Sequence, residues 1–395
     1  MIKIICLVVS LSASSILLSQ TTTKLTPINT KPFEDSRHHW YDIFNKENVV
    51  NAHPNQARYK PTQVVEIADN ILLYQKSNGG WPKNYDMLAT LTESEKKKLL
   101  LAKGETNTTF DNSTTYTHIA CLSKVYAEIK LPKYKVACIK GLNYIVQAQY
   151  NNGGWPQYYP LKEDYSRYIT FNDDAMTGIM VLLKDIMESR KEYSYVDARL
   201  LKELKRSYEA GIDCILKSQI VDDGKLTAWC QQYDENLLPA WARKFEPPSI
   251  CNGESCGIVD FLMSIPKPDQ KIITAIHSAV AWFKVSKIYG LRVKTIEAPA
   301  VKFPFRNSHT DKIVVADSTA PPIWTRYYEL KTHKPLFCNR DSKVVYALAE
   351  VERERRDGYR WYTYEPQVIL KKYDSWAKSV TIGVFLQPDV AYEKN

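Results

Sequence analysis

Glycine is scarce in this chain. There are 14 in 395 residues, beside 26 Tyr and 9 Trp, which excludes collagen-like, linker-like and low-complexity architectures. Beyond the first 20 residues no apolar run is long enough to suggest a membrane span. Of the eight cysteines one, Cys6, falls within the first 20 residues, and the other seven, at 121, 138, 214, 230, 251, 256 and 338, show neither CxxC nor zinc-ligand spacing. Cys121 and Cys138 fall inside apolar helical patterns and read as core, whereas Cys251 and Cys256 are near enough to pair. Charge is not extreme: 53 Lys and Arg against 44 Asp and Glu give +9. That suits an anionic partner, whether nucleic acid, membrane surface or acidic polysaccharide, without choosing among them. No nucleic-acid-binding motif supports the first.

Residues 1–20 carry one cation, Lys3, followed by an apolar run and a serine-rich stretch. This is a signal-peptide pattern, too short for a spanning helix, with a buried N-terminal helix as the alternative. It predicts a secreted or periplasmic protein. Residues 21–60 form an extension without a recognisable motif, and residues 61–395 read as one domain with an annex from about 292.

The most informative feature is a near-duplicate. QKSNGGWPKNY at 75–85 returns as QYNNGGWPQYY at 149–159, with Gln, Trp and Tyr each displaced by 74 residues. A further 74 residues reaches Trp229 and Tyr233 in a degenerate third copy, with Gln219 upstream. Before each copy stands a one-sided helical pattern: Val64, Ile67, Ile71; Cys138, Leu142, Ile145; Leu204, Tyr208, Ile215. After each comes a helix apolar on most sides: 115–129, 175–187 and 256–265. Outer helix, long loop and inner helix, three times over, predict a mainly all-α (α/α)3 toroid with a small C-terminal portion of short strands. Strand-like runs there are Ile313–Ala316, Val368–Leu370 and Val380–Phe385. Arg353-Glu354-Arg355-Arg356, after an expected helix at Lys343–Glu352, reads as a solvated face.

Polar segments precede the inner helices: Thr109-Phe110-Asp111-Asn112, Thr170-Phe171-Asn172-Asp173-Asp174, and Ser249 to Glu254. In a toroid these starts converge on one mouth. Asp and Asn are also ordinary helix caps, but a duplicated T-F-[DN]-[ND] with a further acid suits a hard cation such as calcium. His118 stands alone, so zinc is poorly supported. The Trp residues of the GGWP loops either plug the helix layers or stack on sugar rings. Two basic, aromatic-rich stretches complete the picture: Trp241 to Pro248, containing Arg243 and Lys244, and residues 322–341, containing Arg326 and Arg340. Arginine forks match carboxylates.

TFDNSTTYT, NGGWPQYYPL, YITFNDDAM, LTAWCQQYD, WARKFEPPS, CNGES and FCNRDS, in this order, resemble the family 10 pectate lyases over roughly residues 60–360. The resemblance implies calcium-dependent β-elimination of polygalacturonate on an (α/α)3 toroid. It places metal ligands at Asp111 and Asp173, with Asn112 and Asp174 as further candidates. It places the base at Arg243, with Lys244 as a more easily deprotonated competitor. Arg326, Arg340 and Lys225 would bind substrate. A monomer is expected, without nucleic acid or stable membrane insertion. An arginine base implies an alkaline optimum. The alternatives are a toroid glycoside hydrolase using two carboxylates on an acidic polysaccharide, and a uronate-polymer-binding protein without catalysis. The Q-x-x-x-G-G-W pattern is also similar to the repeat of triterpene cyclases, but their D-x-D-D cluster is missing.

Overall fold

The structure, a computed structural model, describes residues 25–385 apart from 43, 44, 47, 305 and 306. The expected signal peptide lies outside the described residues. The helices in chain order are α1 (Glu34–Asp42), α2 (Val64–Tyr74), α3 (Glu93–Leu101), α4 (Tyr116–Ile129), α5 (Pro132–Ala148), α6 (Ala175–Met187), α7 (Ala198–Ser218), α8 (Asn252–Met263), α9 (Gln270–Val285), α10 (Arg353–Gly358) and α11 (Glu365–Phe385). Among the described residues no helix is long and apolar enough to cross a membrane.

The outer helices start and stop where local chemistry dictates. Asp197 caps α7 by accepting from Leu200 N, and Asp269 caps α9 by accepting from Ile272 N, both at 2.9 Å. Pro132 opens α5 at a position whose N–H has no helical partner. Three of the outer helices, α2, α5 and α7, then end at a glutamine that fastens two things at once. Gln75 Nε2 donates to the carbonyls of Gly79 and Ala137, Gln149 to Gly153 and Ser207, and Gln219 to Thr227 and Ala275, all at 2.9–3.0 Å. The second acceptor always lies on the next outer helix, so α2, α5, α7 and α9 are tied in sequence. Gly79 and Gly153 adopt φ of +98° and +90° against the backbone of those helices, where a Cβ would fall 2.3 Å from Lys140 O and 2.0 Å from Ala210 O.

The GGWP tryptophans are structural plugs. Trp81, Trp155 and Trp229 are fully buried, and their indole N–H groups donate to Ile71, Ile145 and Ile215 carbonyls at 2.8 Å. A fourth tryptophan does the same: Trp324 donates to Phe283 O of α9 at 2.9 Å. Its partner helix is α11, which packs on α8 and α9. The three outer–inner pairs α2/α4, α5/α6 and α7/α8 form the (α/α)3 toroid, and α9/α11 continue it with the same loop device. Inner helices α4, α6 and α8 pack in order, and their apolar side chains join one core with those of the outer layer.

Segments expected as strands at Val368–Leu370 and Val380–Phe385 belong to α11 instead. Ile369 and Leu370 are buried in the toroid core while Val368 is exposed; a three-residue apolar run is too short to show the helical period. Ile313–Ala316 does lie in a strand, within a hairpin of Leu291–Lys302 and Asn307–Ala316. The helix expected at Lys343–Glu352 is replaced by a strand at Val344–Val345 paired with Phe337–Cys338, and by α10 further on. Arg353–Arg356 is no solvated face: Glu354 and Arg355 are buried, because the Glu354 carboxylate takes both Arg340 and Arg355. The C-terminal portion is tied to the toroid by a small antiparallel sheet in the order Val344–Val345, Pro335–Cys338, Tyr327–Tyr328, Ile250–Cys251. Its last strand leads directly into α8. The N-terminal extension packs on the first unit, with Phe33 edge-on to His118 and Thr26 N donating to Glu128 of α4 at 2.9 Å. Cys251 and Cys256 do not pair; every cysteine among the described residues is free.

Candidate active site

Each of the four loops continues past its tryptophan as Trp-x-x-x-Tyr: Trp81/Tyr85, Trp155/Tyr159, Trp229/Tyr233 and Trp324/Tyr328. The residue two after each tryptophan is Lys83, Gln157, Gln231 or Arg326. Each tryptophan also pairs with the strand-like segment leading into an inner helix. The carbonyls of Trp81, Trp155 and Trp229 accept from Thr109, Thr170 and Cys251, and Trp324 pairs with Thr363. This register brings the tryptophan-plus-two side chains to the polar segments at the inner-helix starts.

Asp111 sits in that register, buried. Its Oδ2 contacts the Lys83 ammonium, and the Gln157 side chain acts on the same carboxyl. Its Oδ1 is buried without any hydrogen-bond partner. Burial would raise the Asp111 carboxyl, but Lys83, Gln157 and Arg243 together hold it below the usual carboxylate value. Asp111 is not a helix cap; Thr115 occupies that position in α4.

Asp173 lies across the mouth, solvent-exposed in a left-handed conformation with φ +50°. Crowding by the cleft walls and by the Asp111 and Glu254 charges raises its carboxyl above the usual value, with Arg326 and Arg243 opposing. Asn112, also at φ +50°, donates to Asn84 Oδ1 at 2.8 Å beside Asp111. Asp174 lines a cavity of about 630 Å³ together with Asp173, Glu254 and Arg326. It accepts from Thr177 at 3.1 Å and also borders a second cavity, of about 650 Å³, between α4, α6 and α8.

The arginines close the other side. Arg326 Nη2 donates to Asn172 Oδ1 at 3.0 Å and to Glu254 Oε1 at 2.6 Å, while its buried Nε has no partner. Arg243 is gripped by Glu246, Nε to Oε2 at 2.8 Å and Nη2 to Oε1 at 2.5 Å. Arg340 is held by Glu354 at 2.6 and 3.1 Å. Arg243 and Arg340 share the buried Phe245 ring, their guanidinium carbons 4.9 and 5.1 Å from its centroid. Arg326 stacks on Tyr359 at 4.8 Å.

The structure therefore brings together Asp111, Asn112, Asp173, Arg243 and Arg326, with Arg340 flanking them across Phe245. It does not bring Lys225 to them. Lys225 is exposed on a two-strand turn that packs on α9, where neighbouring Asp222 is bridged by His333 resting on Trp282. His118 is buried and pushed down to about 3 by that burial. Lys83, Gln157, Glu246 and Tyr359 were missed as site residues. For the first two, the signal was their equivalent place after the loop tryptophan.

The donors on offer to a metal are oxygens. Among the described residues no three His, Cys, Asp or Glu side chains group into a complete cage. The buried, unpartnered Asp111 Oδ1 opposite a second carboxylate nevertheless fits a hard divalent cation whose remaining ligands come from substrate and water.

No curated protein matches the sequence. The fold is similar to that of a family 10 polysaccharide lyase from Cellvibrio cellulosa, with 29% identity and a TM-score of 0.67 over 80% of this chain and 92% of that one. It is equally similar to an aspartate-to-alanine variant from Cellvibrio cellulosa in complex with trigalacturonic acid, with 29% identity and a TM-score of 0.66 over 79% and 92%. The family model for pectic acid lyase matches residues 75–370, which span the three tryptophan loops of the toroid, the fourth at Trp324 and every residue of the mouth. This chain belongs to the pectic acid lyase family and is a pectate lyase.

Proposed function

We propose that the protein is secreted and cleaves de-esterified homogalacturonan by calcium-assisted β-elimination. The observation that carries this is the Asp111 carboxylate, buried with one oxygen unpartnered, opposite Asp173 and ringed by Lys83, Arg243 and Arg326. A site of this kind takes a cation and an anionic chain together.

Asp111 and Asp173, with Asn112, would hold the calcium ion. Bound there, calcium would neutralise the uronate carboxylate and stabilise the negative charge that develops when C5 loses its proton. Arg326 and Arg340 orient the polymer through its carboxylates, their planar forks already fixed by Glu254 and Glu354. Arg243 in its neutral form accepts the C5 proton. The C5–H electron pair forms the C4–C5 double bond, the C4–O bond breaks, and the leaving oxygen takes a proton from solvent. Lys83 keeps Asp111 ionised.

The test is incubation with polygalacturonate, following the ultraviolet absorbance of the unsaturated uronate with calcium and then with excess chelator. A rise abolished by chelator is expected. New reducing ends without absorbance would mean hydrolysis instead. The mature N-terminus of the protein recovered from culture medium tests secretion.

A further inference from the structure

Arg243, like Arg340, is gripped through Nε and Nη2 by one carboxylate, but at Arg243 the same acid also takes the backbone of the arginine it holds. Glu246 lies three residues on, its side chain 1% exposed against 43% for Arg243. Besides the two bonds to Nε and Nη2, Glu246 Oε2 accepts from the Arg243 backbone N–H at 3.0 Å. The turn is closed by Glu246 N donating to Arg243 O at 2.8 Å and Ala242 N to Glu246 O at 3.1 Å. Nη1 alone makes no hydrogen bond to a described residue. Behind Glu246 the support continues: Tyr359 donates to Oε1 at 2.7 Å, Tyr327 meets Tyr359 at 2.7 Å, and Tyr327 donates to Gln231 at 2.6 Å. Gln231 is the tryptophan-plus-two residue of the third loop. The acid is thus anchored to the toroid itself.

We propose that Glu246 is a positioning residue for Arg243. Its buried carboxylate pins Nε and Nη2, presents Nη1 to the substrate, and stabilises the cation formed when Arg243 takes up the C5 proton. The arrangement has the logic of a base oriented by a buried acid. The proposal rests on the reading of Arg243 as the base.

The electrostatics support it. Burial disfavours the charged guanidinium, but Glu246 overrides this and raises Arg243 well above its ordinary value, with Tyr359 and Tyr165 adding. Arg243 also acts on Asp111 and Asp173, and Glu246 faces Arg326. Arg340 and Arg355 meet the same Phe245 ring as Arg243, but both are paired with Glu354, which leaves Glu246 to Arg243. Glu246 is therefore the anion that sets the proton affinity of Arg243.

Two variants separate charge from geometry. Glu246→Gln removes the charge and keeps an oxygen acceptor, so Arg243 loses its proton more easily. The alkaline rise of the pH–kcat profile is expected to move down by at least about one pH unit. Glu246→Asp keeps the charge but shortens the reach. The rise should stay in place while kcat falls about 10- to 100-fold, with KM little changed. Wild-type profiles and kcat in both variants overturn the proposal. If the Gln variant does not fold, the Asp variant alone decides, and undiminished kcat overturns it. Arg243→Ala is assayed alongside. Full activity there overturns the reading of Arg243 as base, whereas an inactive Arg243→Ala beside unaffected Glu246 variants overturns only the role of Glu246.

Discussion

Lys83 and Gln157 occupy the same position in successive copies of one loop, and both side chains act on the carboxyl group of Asp111. A repeat that exists to stack helices has been used to place polar groups. One copy supplies a cation, the next an amide, and the oxygen they leave unpartnered is the one that suits a metal.

Replacing Asp111 by Asn should therefore abolish more than one interaction. Calcium affinity measured by calorimetry, without substrate, should fall at least about 10- to 100-fold. Release of unsaturated product should fall with it. Unchanged calcium binding would remove Asp111 from the metal site.

Lys225→Ala should leave both kcat and KM at wild-type values, because the residue is exposed on the turn over α9. Arg340→Ala should raise KM by roughly 10-fold, about 1.4 kcal/mol. Steady-state kinetics on polygalacturonate compares the two directly. A KM effect in Lys225→Ala would mean that the chain of substrate extends across that turn.

The buried Glu246 carboxyl is held down at about 2 from an ordinary 4.5, because Arg243 overcomes the cost of burial. Its folded-state value lies below the unfolded one. The stability it contributes is thus complete above about pH 4.5 and lost as pH falls from there towards 2. The loss is on the order of 3 kcal/mol. Urea denaturation at several pH values should show this slope in the wild type and a flatter one in Glu246→Gln.

Gly153→Ala should destabilise by more than about 3 kcal/mol, since a Cβ would strike the Ala210 carbonyl as well as impose a left-handed backbone. Gly224→Ala, at φ +73° with open space around it, should cost only about 1 kcal/mol. Thermal melts of the pair separate steric contact from backbone strain.

The fourth tryptophan gives a test of the architecture. Trp324→Phe and Trp229→Phe each leave a helix carbonyl without its indole donor and open a small void, so both should lose about 3 kcal/mol. A negligible effect at Trp324 would mean that the fourth loop merely resembles the others.

That fourth copy marks where reading the sequence stops. The outer and inner layers are legible because Val64, Ile67 and Ile71 fall on one stripe while residues 175–187 are apolar nearly all round. The 74-residue period locates Trp229 even after the glycines are lost. Trp324 escapes because a β-hairpin stands between it and α9. Its carbonyl partner lies 41 residues upstream, against ten for Trp81 and Trp155. In the site, the duplicated Thr-Phe before Asp111 and Asn172 made the acidic mouth visible. Lys83 did not stand out among 53 basic residues, and Glu246, three residues from an arginine, has the spacing of any surface ion pair. Burial, which distinguishes it, is a property of the fold. The same is true of Glu354 and Arg355, whose charge suggested solvent and whose pairing allows burial.

The glutamine ties run one way around the toroid. Helices α2, α5 and α7 each end on an amide whose second acceptor belongs to the next outer helix along the chain. During synthesis, Gln75 must wait for Ala137, Gln149 for Ser207 and Gln219 for Ala275. A buried donor without its acceptor costs about 1–3 kcal/mol, so each completed unit remains provisional until its successor is made. The barrel is then locked copy by copy from the amino end, and a chain truncated after any unit is left with one open latch.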